Sequence, residues 1–143
     1  MMTITAPITQ KQIELVENSW DFILTSRQEA GFCFYKSLFE IDPNLKRLFN
    51  TDLEEQAQKL ISLITFVVHK LNNINSVLAD VRSLGVRHRG YHVQPDHYKA
   101  VEIALLRTLS QSLGEQWNQE TEEAWTAVYA LLSETMISAA NEV

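Results

Sequence analysis

The sequence predicts an all-α protein that forms one domain. Apolar residues recur at intervals of three and four along most of the chain, and no stretch alternates apolar and polar residues between turn signals. The chain holds only four glycines and three prolines, so few positions interrupt helices. Its 143 residues, 45% of them hydrophobic, can bury one sizeable core. We therefore expect one domain over residues 1–143, with residues 1–8 as a flexible tail.

Two helices are predicted in the first third of the chain. Thr9 and Gln12 have the spacing of a capping box, which begins the first helix. The apolar face of this helix consists of Ile13, Val16, Trp20, Ile23 and Leu24. The face of the second helix consists of Phe32, Tyr35, Leu38 and Phe39. Asp42 and Pro43 then match an N-cap followed by proline at the first helical position of a further segment.

A longer helix is predicted from about Asp52 to Leu71, and Asn72 and Asn73 close it. The residues that share one face of this helix are Gln56, Leu60, Leu63, Ile64 and Val67. One polar side chain therefore heads an apolar stripe. Taken separately, such a residue is more often a satisfied core or boundary residue than part of a site.

Three further helices are predicted in the second half of the chain. The first carries Val77, Val81, Leu84 and His88 on one face. It ends near Gly90, and Pro95 opens the next helix, which runs to Gly114. The apolar residues of that helix are Val101, Leu105 and Leu109. Asn118 caps the last helix, along which Trp125, Tyr129, Leu132 and Met136 align.

The composition excludes several classes of protein. The net charge of −6 and the sequence pI near 5.2 disfavour binding to nucleic acid or to anionic membranes. The N-terminal segment lacks a basic start and a long apolar run, so we expect a soluble, cytoplasmic protein. Cys33 is the only cysteine, which excludes an intrachain disulfide and favours the role of a small buried hydrophobe.

Hydrolytic and nucleotide-dependent chemistry is disfavoured by the motifs. The sequence has no GxSxG motif and no glycine-rich phosphate loop. His69, His92 and His97 form no i, i+4 pair with one another and no HExxH motif, which argues against a zinc enzyme. His88, on a buried helical face, is either a core histidine bonded to a carbonyl or a metal ligand, and periodicity alone favours the former.

Five segments of the sequence, taken together and in order, carry a family resemblance. They read FYKSLFEIDPNLKRLF, EQAQKL, LGVRHRGYHVQPDHYKAV, ALLRTLSQSLGEQW and EEAWTAVYALL. The chain resembles bacterial single-domain globins and the globin part of flavohaemoglobins over nearly its whole length. The segment SLGVRHRG is also similar to neuroglobins. The resemblance implies a three-over-three helical sandwich around one non-covalently held haem b.

The resemblance also implies a role for individual residues. His88 matches the proximal iron ligand, and Phe49 matches the phenylalanine that packs on the porphyrin. Tyr35 lies fourteen residues before Phe49, where bacterial globins carry a distal tyrosine. Gln56 and Leu60 match the distal polar and apolar positions. Both polar side chains can donate hydrogen bonds to a gas ligand that carries partial negative charge.

The remaining residues expected against the haem are Lys59, Leu63, Ile64, Val67, Leu84, Arg87, His92, Val93 and Tyr98. Three of them, Lys59, Arg87 and His92, would pair with the haem propionates. The chain departs from the family at His92, where the usual motif has glycine, and at Glu102, where many relatives have glycine. Tyr98 matches the proximal tyrosine of flavohaemoglobins, but Ala140 stands where we place their late-helix glutamate.

The leading functional hypothesis is reversible binding of O₂, with CO and NO as further ligands, for oxygen binding, transport or sensing. An alternative is nitric oxide dioxygenation with electrons from a separate reductase, because 143 residues leave no room for a reductase domain. A third is a haem-free globin-fold module that binds a partner. The sixth iron site could be open or taken by Lys59 or a shifted Gln56.

Overall fold

The computed structural model describes residues 8–48, 52–90 and 95–141, and for residues 75, 88–90, 95 and 140–141 the backbone alone. The described residues contain six α-helices and no strand. The helices are α1 (Gln10–Ile23), α2 (Arg27–Ile41), α3 (Leu53–His69), α4 (Ile74–Gly90), α5 (Pro95–Leu113) and α6 (Gln119–Asn141). Short 3₁₀ segments lie at Leu24–Ser26, Pro43–Leu48, Leu71–Asn73 and Gly114–Gln116. The all-helical prediction is therefore confirmed.

Side-chain caps begin the helices where the sequence predicts them. Thr9 Oγ1 accepts from the Gln12 amide at 3.1 Å, and the Gln12 side chain accepts from the Thr9 amide at 3.0 Å, which is a complete capping box. Asp52 caps α3 by accepting from the backbone N–H of Glu54. Asn118 accepts from the Thr121 amide at 2.9 Å and so caps α6. These bonds satisfy backbone donors that the first turn of a helix cannot.

Two tryptophans join α1 to the helices around it. The rings of Trp20 and Trp125 lie 5.8 Å apart between centroids, tilted by 58°. Trp125 Nε1 donates to Ser19 Oγ at 2.8 Å, and Trp20 Nε1 donates to Thr65 Oγ1 at 2.9 Å. Because both indole N–H groups have acceptors, the two large rings can be buried without an unsatisfied donor. The pair thereby fixes α1 against α6 on one side and α3 on the other.

The second helix buries a different set of residues from the predicted one. Phe32 is 40% exposed, whereas Phe34 is 4% exposed and belongs to the core. The prediction of Phe32 on the buried face is therefore wrong. The reason is that α2 packs against both α3 and α5, so the core side of this helix spans two faces instead of one stripe. Tyr35 and Leu38 are buried as predicted.

The remaining helix contacts define how the layers are arranged. The first helix packs on α6 and α3, α2 packs between α3 and α5, and α4 packs chiefly on α6. Within the described ranges, α3 and α4 make few close backbone contacts with each other. Gly114, whose φ is 55°, makes the left-handed turn between α5 and α6. The architecture therefore leaves α3 and α4 apart, although they are consecutive in the chain.

Candidate functional site

Tyr35 is buried on α2 and reaches the first turn of α3. Its side chain is 5% exposed, and its hydroxyl donates to the carbonyl oxygen of Gln56 at 3.5 Å, the upper limit for such a bond. The Phe34 ring stands edge-on to the Tyr35 ring at 5.0 Å, and the Phe39 ring lies 6.0 Å away. Aromatic packing thus fixes the phenol ring, and the hydroxyl is its polar end.

The environment of Tyr35 keeps its hydroxyl protonated. Burial raises the pKa of Tyr35 to about 12, because the phenolate would lose its hydration. The side chain is therefore a neutral hydrogen-bond donor throughout the physiological pH range. Gln56, half-buried on α3, lies beside it. The structure brings these two predicted distal residues together across the contact between α2 and α3.

The third helix has a second apolar face besides the one packed in the core. Ala57 faces α2, because a Cβ placed on Gly31 would lie 2.7 Å from the Ala57 Cβ. Thr65 faces α1 through its bond from Trp20. Gln56 and Leu60 lie roughly 100° around the helix from Ala57 and Ile61, and both are half-buried. This second face adjoins the face packed on α2, and a flat apolar group could cover the part of it that is exposed.

The other predicted residues of α3 fall on both sides of this face. Ile64 is half-buried at the border with the core, and Val67 is 5% exposed within the core. Leu63 is 41% exposed, and the adjoining Phe66 is exposed to the same extent. An uncovered leucine and phenylalanine beside a half-buried stripe are what one expects on the wall of an apolar cleft.

His88 belongs to α4, and its backbone is helical. By register it continues the face of Val77 and Val81, which are 0% and 5% exposed, and of half-buried Leu84. Gly85 is buried where α4 crosses α6, and a Cβ there would lie 2.6 Å from the Cα of Met136. The helix that carries His88 is therefore held against α6, apart from α3.

The start of α5 is tied to α6. The Tyr129 hydroxyl donates to the backbone carbonyl of Tyr98 at 2.6 Å. Tyr98 itself is half-buried, and burial raises the pKa of its phenol. Glu102, one turn later, forms an ion pair with Lys99 at 3.1 Å. The glutamate that departs from the family pattern thus has a partner on its own helix.

The predicted polar rim is exposed, and part of it is already paired. Lys59 lies 3.6 Å from Glu55 in an i, i+4 ion pair whose side chains are more than half exposed, so the pair adds little to stability. Arg87 is exposed on α4. Three predicted residues, Phe49, His92 and Val93, lie outside the described residues. Cys33 is half-buried, with its Sγ 3.0 Å from Gln111 Oε1.

Two glycines at helix crossings were missed by the sequence analysis. Gly31 lies where α2 meets α3, and Gly85 lies where α4 meets α6. The available signal was glycine inside a helix, which costs roughly 1 kcal/mol relative to alanine and so points to a close approach.

A surface groove formed by α2 and α3 is lined by Arg27, Gln28, Phe32, Glu54, Ala57, Gln58 and Ile61. None of the predicted site residues lines this groove.

The geometry defines a class of site. Buried Tyr35 on α2 lies beside half-buried Gln56 on α3, apolar residues follow Gln56 along α3, and the backbone of His88 belongs to the separate helix α4. Within the described ranges, no three His, Cys, Asp or Glu residues are grouped to hold a metal ion by themselves. None of the helices described there combines the length and hydropathy of a membrane span. The residues present suit a flat, largely apolar prosthetic group with one axial ligand.

The chain belongs to the globin family, whose sequence model matches residues 33–136. An anaerobic nitrite reductase of Arabidopsis thaliana is 32% identical over 136 residues, covering 85% of this chain and 86% of that protein. The flavohemoprotein of Vibrio cholerae is 26% identical over 133 residues, covering 91% of this chain. This chain spans 34% of that flavohemoprotein's length.

Solved structures confirm the three-over-three globin fold. A hexacoordinated haem protein from an anhydrobiotic tardigrade superposes with a TM-score of 0.84 and 20% identity, covering 94% of this chain and 96% of that one. A bacterial globin from Campylobacter jejuni gives a TM-score of 0.80 and 21% identity, covering 94% of this chain and 97% of that one. The predicted family and fold are therefore both confirmed.

Proposed function

We propose that the chain binds haem b between α3 and α4, holds the iron through His88, and binds O₂ beside Tyr35 and Gln56. The observation that carries this proposal is the buried Tyr35 hydroxyl, which ends at the Gln56 backbone next to the uncovered face of α3. Membership of the globin family supports the haem. When bound, haem would supply an iron that can bind a diatomic gas.

The distal side chains act as hydrogen-bond donors. Tyr35 stays neutral because its pKa is raised to about 12, so its O–H is available at any physiological pH. The bond from its hydroxyl to the Gln56 carbonyl is at the limit of hydrogen-bond distance, and a donor of this kind bonds more strongly to an acceptor with negative charge. The Gln56 amide supplies a second donor of the same kind. Both favour O₂ over the less polar CO.

The apolar side chains exclude water from the same space. Leu60 and Ile64 on α3 and Leu84 on α4 are half-buried, and covering them with haem would remove their exposed surface from water. The proposal includes Lys59, Arg87 and His92 at the propionates, Phe49 and Val93 against the porphyrin, and Tyr98 on the proximal side. CO and NO would bind as further ligands at the same iron.

Spectra of the purified protein test this assignment. We expect the wild type to show a Soret band in the ferric and ferrous states and a shifted band with CO. His88→Ala should lose the haem or its normal CO spectrum, because His88 is the proposed iron ligand. His69→Ala, at an exposed position of α3, is the matched control and should behave as wild type. An unchanged His88→Ala spectrum would refute the ligand assignment.

The same preparation distinguishes the gas-binding role from a haem-free module. We expect Tyr35→Phe to release O₂ about 10- to 100-fold faster, because it loses a hydrogen bond to a charged acceptor. CO release should change far less. Tyr129→Phe removes a buried hydroxyl that bonds to Tyr98 instead, and it should keep the wild-type rate of O₂ release. A wild type that takes up no haem would favour the partner-binding module.

A second candidate is enzymatic, and the flavohemoprotein and nitrite reductase relatives favour testing it. With a separate reductase as electron source, the balanced reactions are NO + O₂ + e⁻ → NO₃⁻ and NO₂⁻ + 2H⁺ + e⁻ → NO + H₂O. We would supply NADPH and an added reductase. With NO under air, nitrate formation would be measured, and with nitrite in the absence of oxygen, NO formation. Steady turnover that falls in Tyr35→Phe would establish an enzyme. Binding without turnover would leave the carrier or sensor role.

A further inference from the structure

We propose that Gly85 is a positioning residue: its contact with Met136 holds α4 against α6, and this contact sets the place of His88 before haem binds. The inference rests on the proposed function for the role of His88. The identity of His88 as the ligand does not by itself determine how α4, the helix that carries it, is held in place.

The contact at Gly85 is between two backbones. A Cβ on this residue would lie 2.6 Å from the Met136 Cα and 2.8 Å from the Met136 carbonyl carbon. Real Cβ atoms essentially never approach other atoms so closely. Because backbone atoms cannot rotate away as a flexible side chain can, even one methyl group requires α4 and α6 to separate. The absence of a side chain therefore sets the distance between the helices.

Other contacts of α4 point to the same partner. Val77 and Val81 are buried on the side of α4 that continues toward Gly85, and this helix packs more extensively on α6 than on any other element described. Close contacts with α3 are few within the described ranges. The docking of α4 thus depends chiefly on its contacts with α6.

The crossing lies close to the proposed ligand along the helix. His88 is three residues after Gly85, roughly 4.5 Å along the axis and less than one turn. A helix is stiff over this length, so a displacement of α4 at the crossing carries the His88 backbone with it. A change at Gly85 should therefore alter the iron–histidine bond.

Gly31 offers a matched control at the opposite side of the site. A Cβ there would lie 2.7 Å from the Ala57 Cβ, at the crossing of α2 and α3. Tyr35 follows Gly31 by one turn, and Gln56 precedes Ala57. Gly31→Ala should therefore separate α2 from α3 on the distal side. Gly85→Ala should separate α4 from α6 on the proximal side. Both variants add one methyl group, but they add it at different helix contacts.

Hydrogen exchange of the haem-free protein is the first test. In the wild type, we expect the backbone amides around Val81–Gly85 to be protected to the same degree as those of α6. In Gly85→Ala, exchange along α4 should be faster by about tenfold or more, because overpacking weakens its docking. Unprotected α4 amides in the haem-free wild type would overturn the proposal, and this holds even if the variant does not fold.

The haem-loaded protein provides the second test. Gly85→Ala should shift the iron–histidine stretching band in the resonance Raman spectrum of the ferrous protein and lose haem about tenfold faster or more. Gly31→Ala should keep that band and change O₂ release instead. A folded Gly85→Ala with wild-type exchange, Raman band and haem loss would refute the role of Gly85. A wild type that protects α4 but takes up no haem would refute the proposed function and leave the crossing intact.

Discussion

The hydroxyls of Tyr35 and Tyr129 donate to acceptors in different parts of the fold. Tyr35 ends in the candidate site, whereas Tyr129 donates to the Tyr98 carbonyl and ties α6 to α5. Burial raises the pKa of both phenols, to about 12 for Tyr35 and further for Tyr129, where the negative charges of Glu102 and of ionised Tyr98 add to the effect. A residue-scale consequence is that neither tyrosine ionises near neutral pH while the protein is folded.

Alkaline pH should therefore destabilise the fold in a defined window. Unfolded tyrosine has a pKa of about 10, so Tyr35 contributes full stability below pH 10 and loses it as the pH rises through 12. For this one group, the free energy of unfolding should fall by up to about 1.4 kcal/mol per pH unit. Denaturant unfolding at several pH values between 9 and 12 measures the slope.

Tyr35→Phe is the comparison for this slope. The variant lacks the ionising phenol, so its stability should decline less steeply over the same window, whereas exposed residues affect both proteins alike. Equal slopes in wild type and variant would show that Tyr35 ionises normally. O₂ release by the wild type should also be independent of pH between 6 and 9.

The burial of individual residues could be predicted from the sequence better than the distances between helices. Tyr35 is buried and Gln56 half-buried, as periodicity predicts, and the family resemblance gives each a proposed role. Gly85 was not found, because register tells which side of a helix a residue occupies and not how closely two backbones approach. Leu63 lies on the predicted stripe, but its 41% exposure depends on which neighbours surround α3.

At the scale of single helices, the start of α3 is where a local sequence signal supports the site. Asp52 accepts a hydrogen bond from the Glu54 amide at 3.0 Å, and Gln56 lies in the same first turn. An aspartate at this position accepts a hydrogen bond from a backbone N–H group that has no partner within the helix. Its negative charge also interacts favourably with the positive end of the helix dipole. The cap thus holds the part of α3 that Tyr35 contacts.

Removing this cap should loosen α3 from its first turn. We expect Asp52→Ala to lower the free energy of unfolding by about 0.5–2 kcal/mol, while Asp52→Asn keeps the oxygen acceptor and most of the stability. Denaturant unfolding compares the three proteins, and O₂ release reports whether Gln56 has moved. Similar stability of Asp52→Ala and the wild type would show that tertiary contacts alone hold this turn.

Helix positions were predicted well because the signals for them are local. Thr9, Asp42 and Asn118 begin segments through bonds within four residues, which composition and spacing reveal. The buried face of α2 was partly wrong at Phe32, because a helix between two neighbours buries more than one stripe. Such errors follow from tertiary packing, which no pattern along a single helix contains.

The fold separates α3 from α4, while each of these helices is held by other helices. The sequence predicted the order of the helices and the globin fold, but the separation depends on how α2 and α6 pack. Half-buried Leu60, Ile64 and Leu84 are left at the borders of the core. Haem binding should cover them and stabilise the complete protein.

Haem addition should therefore raise the midpoint of thermal unfolding. Free haem at a hundred times its Kd stabilises the folded state by about 2.7 kcal/mol, which corresponds to a rise of roughly 5–10 °C for a chain of this size. Calorimetry with increasing haem measures the shift, and His88→Ala should show a smaller one. A midpoint unaffected by haem would contradict specific binding to the folded state.

The tryptophan pair of the core also makes the protein a natural optical reporter. Trp20 and Trp125 are held 5.8 Å apart by hydroxyl acceptors on different helices, and both are nearly inaccessible to solvent. Their emission is therefore shielded from external quenchers, but a porphyrin elsewhere in the fold would still accept their excitation energy. Intrinsic fluorescence would then decrease in proportion to the fraction of molecules loaded with haem, without any label.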